Sequence, residues 1–348
     1  MHNFIRIFTL FSGVSGSSIE IMQSVQQQIL QLLASGQFYS GSQLGEQFGV
    51  SRAAIWKHIQ RLRELGLDVG AVRGRGYRLS GGICLLDRQT IYAALTERNR
   101  EHVTRLEVFD SLTSTSNYLK DQRVHSGQVA VCFAEMQTNG RGRRGRSWVS
   151  PYAANIYASI KLQLLLDEGA YGMLSLLIGV AVCRVLKEVG IEGVSLKWPN
   201  DIYVNRAKLA GVLIEYAGEA NGPVSTIIGM GMNIKMPVDA GKNIDQAWTD
   251  LDSIIPGVAS RRNQLCASLV NHVLLVLEEC ESGNSGELLD EWRQYDMLYD
   301  QDVVLQLPKR KICGRARGVN MRGQLLIEQA EGKLAAYVSG EISVRVKT

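Results

Sequence analysis

Hydrophobic positions near the N-terminus recur at the spacing of an α-helix in three successive segments. The first predicted helix lies between Ser24 and Gly36, and its apolar face carries Val25, Ile29, Leu32 and Leu33. A second short helix is predicted over Gly41 to Phe48. Ser51, a good N-cap, follows a turn at Gly49 and begins a third helix that ends near Leu65. The inward face of this third helix consists of Ala54, Ile55, Ile59 and Leu62.

A β-hairpin is predicted after these helices. Its strands are Leu67-Asp68-Val69 and Tyr77-Arg78-Leu79, and its tip is Arg73-Gly74-Arg75-Gly76. This arrangement is typical of a winged helix-turn-helix, whose second helix enters the DNA major groove. The candidate DNA contacts are Ser51, Arg52, Ala53, Trp56, Lys57, Gln60, Arg73 and Arg75. A small helical domain with a solvated basic face, or one that docks a protein, would show the same pattern.

The rest of the chain predicts further regions that together make an α+β fold. Residues 81–107 form a connector with one amphipathic helix near Arg88 to Leu95. From Val108 to about Val238 apolar strands alternate with one long helical pattern, and Leu265 to Glu278 is another amphipathic helix. After Tyr299, short apolar runs separated by glycine turns indicate a small SH3-like β-barrel. The predicted domains are a leader of unclear role (1–23), the winged helix-turn-helix (24–82), a central α/β domain with a mixed sheet (83–298) and the C-terminal barrel (299–348).

Composition and charge narrow the class of protein. The chain has 348 residues, of which 45% are hydrophobic and 21% charged, and this excludes a disordered or low-complexity chain. The formal net charge of +4 is concentrated in the first 80 residues, which hold eight Lys or Arg against four Asp or Glu. A basic module on a neutral body is typical of an attached nucleic-acid-binding domain, although charge alone decides little.

Cysteine usage and hydropathy bear on location. The six cysteines include no CxxC pair and no histidine at ligand spacing, so we expect reduced core thiols in a cytoplasmic protein. The longest apolar run, around Met173 to Cys183, is broken by Ser175 and is shorter than the ~18 to 20 residues of a membrane span. Ile7 to Phe11 is shorter than the ~7 to 15 apolar residues of a signal sequence, which predicts a loose leader or a true start at Met22.

The first candidate for chemistry is the segment Gly140 to Arg146, GRGRRGR, which stands between a predicted strand (Val129 to Ala134) and Trp148. Glycines let backbone N–H groups approach an anion closely, and arginines bind phosphate through two hydrogen bonds. The segment therefore predicts a nucleotide-binding loop, although not the GxxxxGK[ST] loop of P-loop ATPases. An RNA-binding RGG tract has a similar composition, but a single copy between strands argues against it.

The second candidate is Lys197-Trp198-Pro199-Asn200-Asp201, which is followed by Lys208-Leu209-Ala210-Gly211 and a strand over Val212 to Glu215. Pro199 is expected to end a strand, to leave Lys197 beside a pocket and to turn the next two residues outward. A lysine in that place can bridge two anions as a point charge. Taken alone, the pattern fits a solvated lysine before an ordinary turn equally well.

Two weaker signals complete the set. Gly229-Met230-Gly231-Met232-Asn233 places two glycines inside a predicted strand, where they mark either a bulge or the close approach of backbone or ligand. Ser114-Thr115-Ser116-Asn117 either caps a helix or lines a polar pocket with hydroxyl groups.

In combination these motifs resemble the biotin-protein ligase family, and with the winged helix its bifunctional branch, which also represses the biotin operon. The motifs run in the order Glu135-Met136-Gln137, GRGRRGR, Trp148, Asn155-Ile156-Tyr157, KWPND, KLAG, GMGMN and Gly340-Glu341-Ile342-Ser343. The resemblance covers residues 24–348. It implies activation of biotin with MgATP to biotinyl-5′-adenylate and transfer of biotin to one lysine of a biotin carboxyl carrier protein. It also implies a homodimeric repressor that binds operator DNA with the adenylate as corepressor.

The resemblance also assigns site residues. The biotin site would consist of Ser114, Thr115, Ser116, Gln137, Arg141, Gly142, Arg143 and Lys197. The ATP and adenylate site would consist of Arg141, Arg143, Arg144, Arg146, Trp148, Asn200, Gly229, Gly231 and Asn233. The catalytic residues would be Lys197 and Arg143, which meet the carboxylate and the α-phosphate. The chemistry of the transfer step, independently of the resemblance, suggests Asp201 as the carboxylate that orients the substrate lysine. No metal ligands are expected in the protein. The sequence departs from the family at Ser116, where asparagine is usual.

The chemistry also fits these residue types independently. Attack of a carboxylate on an α-phosphate brings two anions together, so fixed cations matter more than an acid or a base. Two alternatives stay open: a transcription factor that senses a ligand without catalysis, and a lipoate-type ligase of the same fold. A pure sensor has no need of an arginine-rich loop and a lysine around a phosphate-sized gap. Removal of residues 1–80 is expected to abolish DNA binding and to spare most of the ligase chemistry.

Overall fold

The computed structural model describes residues 24–166, 168–217, 223–242, 244–307, 310–339 and 343–346. The predicted leader (1–23) and the Gly340-Glu341-Ile342 part of the last motif lie outside the described residues. The N-terminal domain contains the three predicted helices and the predicted hairpin, in which the two strands are antiparallel. These elements are α1 (Val25–Ala34), α2 (Gly41–Phe48), α3 (Arg52–Glu64), β1 (Val69–Val72) and β2 (Gly76–Leu79).

Serine caps and glycine turns fix the ends of these helices. The hydroxyl groups of Ser24, Ser40 and Ser51 each accept a hydrogen bond from the backbone N–H three residues further on. Gly49 ends α2 in the left-handed conformation, with φ +65°. The first wing strand begins later than predicted, because the backbone N–H of Leu67 is bonded to Leu62 O at the end of α3, 3.2 Å away.

The central domain is built on a seven-stranded mixed sheet, as predicted. Its strand order is β3-β4-β5-β9-β8-β7-β6, in which β3 and β4 are parallel and every other neighbouring pair is antiparallel. The strands are β3 (Val103–Phe109), β4 (Val129–Ala134), β5 (Asn155–Leu164), β6 (Val194–Lys197), β7 (Asp201–Val204), β8 (Ala207–Ala217) and β9 (Val224–Asn233).

Eight helices accompany this sheet within the described residues, and they correct two predictions. The connector holds two helices rather than one, and the first strand begins at Val103 instead of Val108. The second connector helix, α5, has no buried residue, so no apolar pattern revealed it. The helices are α4 (Arg88–Ala93), α5 (Glu97–His102), α6 (Thr115–Lys120), α7 (Glu168–Glu188), α8 (Val238–Gly241), α9 (Leu251–Ile254), α10 (Arg262–Glu281) and α11 (Ser285–Gln294).

The long helix α7 is longer than its uninterrupted apolar run. Its segment Gly169–Glu188 has a mean hydropathy of 1.8 and is long enough to cross a membrane, which corrects the estimate made from the apolar run alone. However, 72% of that window is buried inside the protein. The hydrophobic residues of α7 pack with those of α10 and the sheet in one core cluster, so α7 is the central helix of this domain.

The C-terminal domain is a five-stranded antiparallel sheet of order β13-β12-β11-β10-β14. Its strands are β10 (Asp302–Gln306), β11 (Lys311–Val319), β12 (Leu325–Glu328), β13 (Leu334–Tyr337) and β14 (Ser343–Val346). In the described part of this domain β13 and β14 are the two edges and are not paired with each other, so closure into an SH3-like barrel stays a prediction. The domain is tied to the central one by a hydrogen bond from Trp198 Nε1 to Gly323 O at 2.9 Å.

The N-terminal domain shares its core with the central domain. Tyr152 and Ala153 are buried in the same cluster as the residues of α1 to α3, and Met136 packs against it. The connector is bonded to a buried ion pair of the central domain, Arg262–Glu135, 2.6 Å long, because Leu86 N donates to Glu135 Oε1 at 2.6 Å. Arg262 Nη1 also donates to Cys84 O at 2.9 Å. Deletion of residues 1–80 would therefore uncover apolar surface beside the central domain, so the simple separability predicted above is not supported.

Candidate functional site

A cavity of about 700 Å³ lies against the large sheet, between the loop 140–148 and strand β14 of the C-terminal domain. Every residue that the resemblance assigned to the biotin, nucleotide or catalytic site lines this cavity. The sequence motifs, which are spread over about 120 residues from Ser114 to Asn233, are thus brought together in one place.

One end of the cavity is a group of buried hydroxyls. The backbone N–H of Thr115, at the start of α6, donates to Gln137 Oε1 at 2.9 Å. The hydroxyls of Thr115 and Ser116 lie 2.7 Å and 2.9 Å from Ser159 Oγ on β5. Ser114 occupies the N-cap position of α6, but its side chain makes no capping bond and is buried at the cavity. The polar-pocket interpretation of this segment is therefore favoured over simple helix capping.

The arginine-rich loop forms one wall of the cavity. Gly142 N donates to Arg146 O at 2.7 Å and Trp148 N to Gly140 O at 2.8 Å, so the loop is closed on itself. The side chain of Arg141 is paired with Glu215 of β8 at 3.1 Å. Arg144 has a φ of +60°, a left-handed conformation that favours glycine, asparagine or aspartate.

Arg143 spans the gap between this loop and two other segments. Its Nη1 donates to Asn200 Oδ1 at 3.4 Å, and its Nη2 donates to the carbonyl oxygen of Ser339 in the C-terminal domain. Burial lowers the pKa of its guanidinium, Asp201 raises it, and Arg144 and Arg146 lower it further. Arg143 is thus a partly desolvated cation placed where three parts of the chain meet.

Lys197 ends β6 and lines the cavity. A cis peptide bond joins Trp198 to Pro199, and the turn returns the chain into β7, where Asp201 is paired with Lys197. Burial lowers the pKa of the Lys197 ammonium, and Asp201 opposes that shift. Lys208 and two arginines lower it further. Lys197 therefore lies in a partly desolvated, cation-rich place where an anion would be stabilised.

The orientation predicted for Asn200 and Asp201 is wrong. Both residues line the cavity instead of facing outward. Asn200 Nδ2 donates to Val212 O at 2.6 Å, and Asp201 Oδ1 is paired with Lys208 Nζ at 2.7 Å. The reason is the pairing of β7 with β8, which places both residues beside the KLAG strand.

The two glycines of β9 are explained by the close approach of other side chains to the strand backbone. The pairings of β9 with β5 and with β8 run without a register shift, so neither glycine marks a bulge. A Cβ atom at Gly231 would lie 2.4 Å from the ring of Trp148, and one at Gly229 would lie 2.8 Å from Ser116 Oγ. The Trp148 ring therefore lies directly on the strand backbone, and the ammonium of Lys208 is 5.4 Å from the ring centroid.

The charge of the lining is strongly unbalanced. Eight cationic side chains line the cavity against two carboxylates, those of Asp201 and Asp245. Such an excess of positive charge favours an anionic ligand. The cations are Arg141, Arg143, Arg144, Arg146, Lys197, Arg206, Lys208 and Arg345.

Several residues of this lining were not predicted from the sequence, and three of them bear on its chemistry. Ser159 is fully buried and joins the hydroxyls of α6, but in the sequence it is one small polar residue in an apolar strand. Lys208 begins the KLAG motif, but no binding or catalytic role was predicted for it. Arg345 comes from the C-terminal domain, more than 140 residues from Lys197, and only the folded chain brings it to the cavity.

The N-terminal domain presents a second, separate surface. Arg52, Ala53 and Lys57 are exposed on α3, and the Trp56 side chain is 53% exposed. The Ser51 hydroxyl caps α3 by accepting from Ala54 N at 3.2 Å. When the Gln60 amide is turned so that its oxygen faces the neighbouring donors, this oxygen accepts from Trp56 Nε1 at 3.2 Å and from Arg63 Nη1 at 3.1 Å.

The wing tip extends this basic surface. Arg73 and Arg75 are both exposed, and the guanidinium of Arg75 stacks on Phe38, 4.0 Å from the ring centroid. Gly76 has a φ of +100°, and a Cβ there would lie 2.2 Å from Tyr39 O, so only glycine fits. The tip and the exposed side of α3 are the predicted DNA contacts, and they carry positive charge on exposed positions.

Comparison with known proteins identifies each part of this arrangement. Residues 25–78 match a helix-turn-helix domain, residues 108–233 the biotin/lipoate A/B protein ligase family, and residues 300–345 the biotin protein ligase C-terminal domain. The bifunctional ligase/repressor BirA of Salmonella typhimurium is 40% identical over 91% of this chain and 96% of its own length. BirA of Bacillus subtilis is 31% identical over 87% of this chain and 93% of its own length.

A solved structure agrees with these relatives. The biotin protein ligase from Aquifex aeolicus in complex with biotin and ATP covers 70% of this chain and 100% of its own, with a TM-score of 0.58 and 28% identity. The fold is that of a biotin protein ligase with an added helix-turn-helix domain. The chain belongs to the family of bifunctional biotin ligase/repressors.

Proposed function

We propose that this chain activates biotin with ATP and transfers it to a carrier protein. In the first step an oxygen of the biotin carboxylate attacks the α-phosphorus of ATP, which gives biotinyl-5′-adenylate and pyrophosphate. In the second step a lysine amine of the biotin carboxyl carrier protein attacks the acyl carbon, loses a proton and displaces AMP. The observation that carries this proposal is the cavity itself, which has a hydroxyl-lined end and eight cations against two carboxylates.

The two ends of the cavity suit the two substrates. The hydroxyls of Thr115, Ser116 and Ser159, with the Gln137 amide, offer fixed donors and acceptors to a polar ring such as the biotin ureido group. Arg143 and Lys197 offer cations to the carboxylate and α-phosphate that must approach each other. Both cations are partly desolvated, which strengthens their interaction with charge that develops in the transition state.

In this proposal Mg²⁺ would bind together with ATP. Mg²⁺ is usually held by one or two carboxylates together with substrate phosphates. Within the described residues no group of three or more His, Cys, Asp or Glu side chains is placed to hold a metal, and the cavity has only the carboxylates of Asp201 and Asp245. These residues fit an ion bound mainly through the triphosphate.

Asp201 is the proposed carboxylate for the transfer step. Its ion pair with Lys208, 2.7 Å long, holds it at the cavity wall. A substrate lysine must lose a proton to become nucleophilic, and a fixed carboxylate orients the ammonium for that loss. In this proposal Asp201 acts on the incoming lysine.

Direct detection of the intermediate tests this function. The protein is incubated with biotin, MgATP and pyrophosphatase, and the mixture is analysed for biotinyl-5′-adenylate by mass spectrometry. A parallel incubation with lipoate in place of biotin tests the lipoate-type alternative, and binding of biotin without any adenylate would favour the ligand-sensing alternative. The eight lining cations favour catalysis on ATP, since a sensor of biotin alone would have only one carboxylate for them to bind.

Arg143→Gly is expected to release the adenylate before transfer, because Arg143 joins the loop to Asn200 and to the carbonyl of Ser339 across the cavity. The escaped adenylate should then label lysines of bystander proteins, which is measured by streptavidin blotting with serum albumin present. Arg123→Gly, at an exposed position outside the cavity, is the control. Labelling that stays confined to the carrier protein in Arg143→Gly would contradict this role of the loop.

The same adenylate is proposed to act as corepressor of biotin-synthesis genes in a homodimer. One winged helix offers few base contacts, so useful specificity needs two half-sites read by a two-fold dimer. Of the two edges of the large sheet, β6 is covered because Leu196 is bonded to Tyr295 and Met297. Strand β3 is therefore the candidate edge for pairing with a second copy.

Adenylate should tighten this dimer, and by linkage dimerisation should tighten adenylate binding by the same factor. Sedimentation equilibrium with and without adenylate measures the effect, and an identical monomer–dimer constant in both cases would refute the switch. The ligase activity does not depend on that outcome.

All six cysteines are free thiols, which supports the proposed cytoplasmic location.

A further inference from the structure

The helix α6 carries the hydroxyl end of the cavity but is only six residues long, Thr115–Lys120. Its first turn supplies Thr115 and Ser116, while none of its later residues lines the cavity. A helix of this length leaves most of its C-terminal carbonyl groups without partners inside the helix. It also cannot hold its own shape, because isolated helices shorter than ~12 residues are marginal in water. The position of its hydroxyls must therefore be fixed from outside.

Lys161 on β5 supplies such a contact at the far end of α6. Its Nζ donates to the backbone oxygens of Leu119 at 2.9 Å, Lys120 at 2.9 Å and Gln122 at 2.7 Å. All three N–H bonds of the ammonium are thus used on one helix terminus. Lys161 is only 7% exposed, which is unusual for a lysine and is tolerated because every donor has an acceptor.

The same strand holds the other end of the helix. Ser159 lies two residues before Lys161, so both side chains stand on the same face of β5. Ser159 is bonded to the hydroxyls of the first turn, and Lys161 to two carbonyls of the last turn and one just after it. Strand β5 is itself held between β4 and β9 inside the sheet, so it is a rigid base for both contacts.

We propose that Lys161 is a positioning residue for the biotin end of the cavity: by binding the C-terminal carbonyls of α6, it sets where Thr115 and Ser116 present their hydroxyls. This inference rests on the proposed function, since it takes biotin as the ligand of those hydroxyls. Lys161 does not line the cavity, so it acts on the ligand only through α6. Its loss should affect biotin and leave the nucleotide end of the cavity unchanged.

Lys161→Met keeps the aliphatic stem and removes the three donors. We expect the dissociation constant for biotin, measured by isothermal titration calorimetry, to rise about tenfold, the effect of one lost modest hydrogen bond at the ligand. The KM for ATP and the kcat at saturating biotin should stay near those of the unaltered protein. Hydrogen exchange should accelerate at the amides of residues 118–122 and stay unchanged in β5.

Gln163→Met is the matched control. Gln163 is the next residue on the same face of β5, and its Nε2 donates to Val124 O at 3.2 Å, beyond the end of α6. This variant also removes a hydrogen bond between β5 and the segment after α6, so it should lower the thermal stability but leave biotin affinity unchanged. A purely structural role of Lys161 would make the two variants alike.

The inference is overturned if Lys161→Met binds biotin as tightly as the unaltered protein, or if the KM for ATP rises by the same factor as that for biotin. If Lys161→Met does not fold, Lys161→Gln, which retains one donor pair, takes its place with the same expected direction. Failure of the unaltered protein to bind biotin would refute the proposed function instead. In that case the exchange rates of residues 118–122 still decide whether Lys161 fixes α6.

Discussion

Lys197→Ala should lower the rate of biotinyl-adenylate formation by about 10² to 10³, because a preorganised cation at a developing charge contributes about 2.7 to 4 kcal/mol. The ammonium of Lys197 is held at the end of β6, between Asp201 and the other lining cations. In the proposed reaction it stabilises the carboxylate and the α-phosphate as they approach each other. The measurement is biotin-dependent exchange of radiolabelled pyrophosphate into ATP.

The pH dependence of this reaction gives an independent check. Burial and neighbouring cations lower the pKa of Lys197 below the usual value for lysine, so the ammonium is lost at a less alkaline pH than that of an ordinary lysine. The exchange rate of the unaltered protein should fall as the pH rises through that lowered pKa. The small residual rate of Lys197→Ala should lack this alkaline decline. Lys187→Ala, an exposed lysine at the end of α7, is the control. An undiminished exchange rate in a folded Lys197→Ala protein would remove Lys197 from the catalytic residues.

The elements that could be predicted from the sequence are those whose residues carry a local physical signal. Ser51 caps α3, and Ile55, Ile59 and Leu62 recur at helical spacing and form its buried face. Both signals are local, so the sequence predicts this helix nearly to its ends. The loop 140–146 and the lysine before Pro199 were identified because glycine, arginine and lysine in those patterns suit anions. Their presence around one cavity required the pairing of β5, β8 and β9, which no local pattern specifies.

The side-chain directions and burial that could not be predicted from the sequence depend on contacts between distant segments. The direction of Asn200 and Asp201 is decided by pairing across the sheet to β8 and not by the turn at Pro199. The buried Lys161 reads as an ordinary surface lysine until its three carbonyl partners are seen. Likewise, Tyr152 gave no sign that it belongs to the core of the N-terminal domain.

That shared core also decides how DNA binding is best tested. Met136, Tyr152 and Ala153 of the central domain all pack in the cluster formed by α1 to α3. Deletion of residues 1–80 would therefore disturb Met136, which adjoins Gln137, as well as remove the DNA contacts. Substitutions of exposed side chains avoid this problem. Arg52 at the start of α3 and Arg73 at the wing tip are both exposed. We expect Arg52 to contact base edges in the major groove and Arg73 to contact phosphates.

Arg52→Ala is expected to weaken binding to the operator much more than binding to random DNA. Each contact to a base edge contributes about 1 to 3 kcal/mol of discrimination. In the proposed dimer the loss occurs in both half-sites, which makes it about 2 to 6 kcal/mol, or roughly 30-fold to 10⁴-fold in affinity. Arg73→Ala should instead weaken binding to all sequences alike and reduce the slope of log K against log salt by about one per half-site.

Fluorescence anisotropy separates these outcomes. The probe is the DNA upstream of the organism's own biotin-synthesis genes, compared with a scrambled duplex at several salt concentrations and with adenylate present. Arg123→Ala removes the same charge from an exposed position of the central domain and should change neither the affinity nor the slope by more than a small amount. Equal losses on operator and scrambled DNA for Arg52→Ala would place this residue among the phosphate contacts. No loss on either DNA would exclude the start of α3 from the DNA interface, because a charged side chain at the groove cannot be removed without cost.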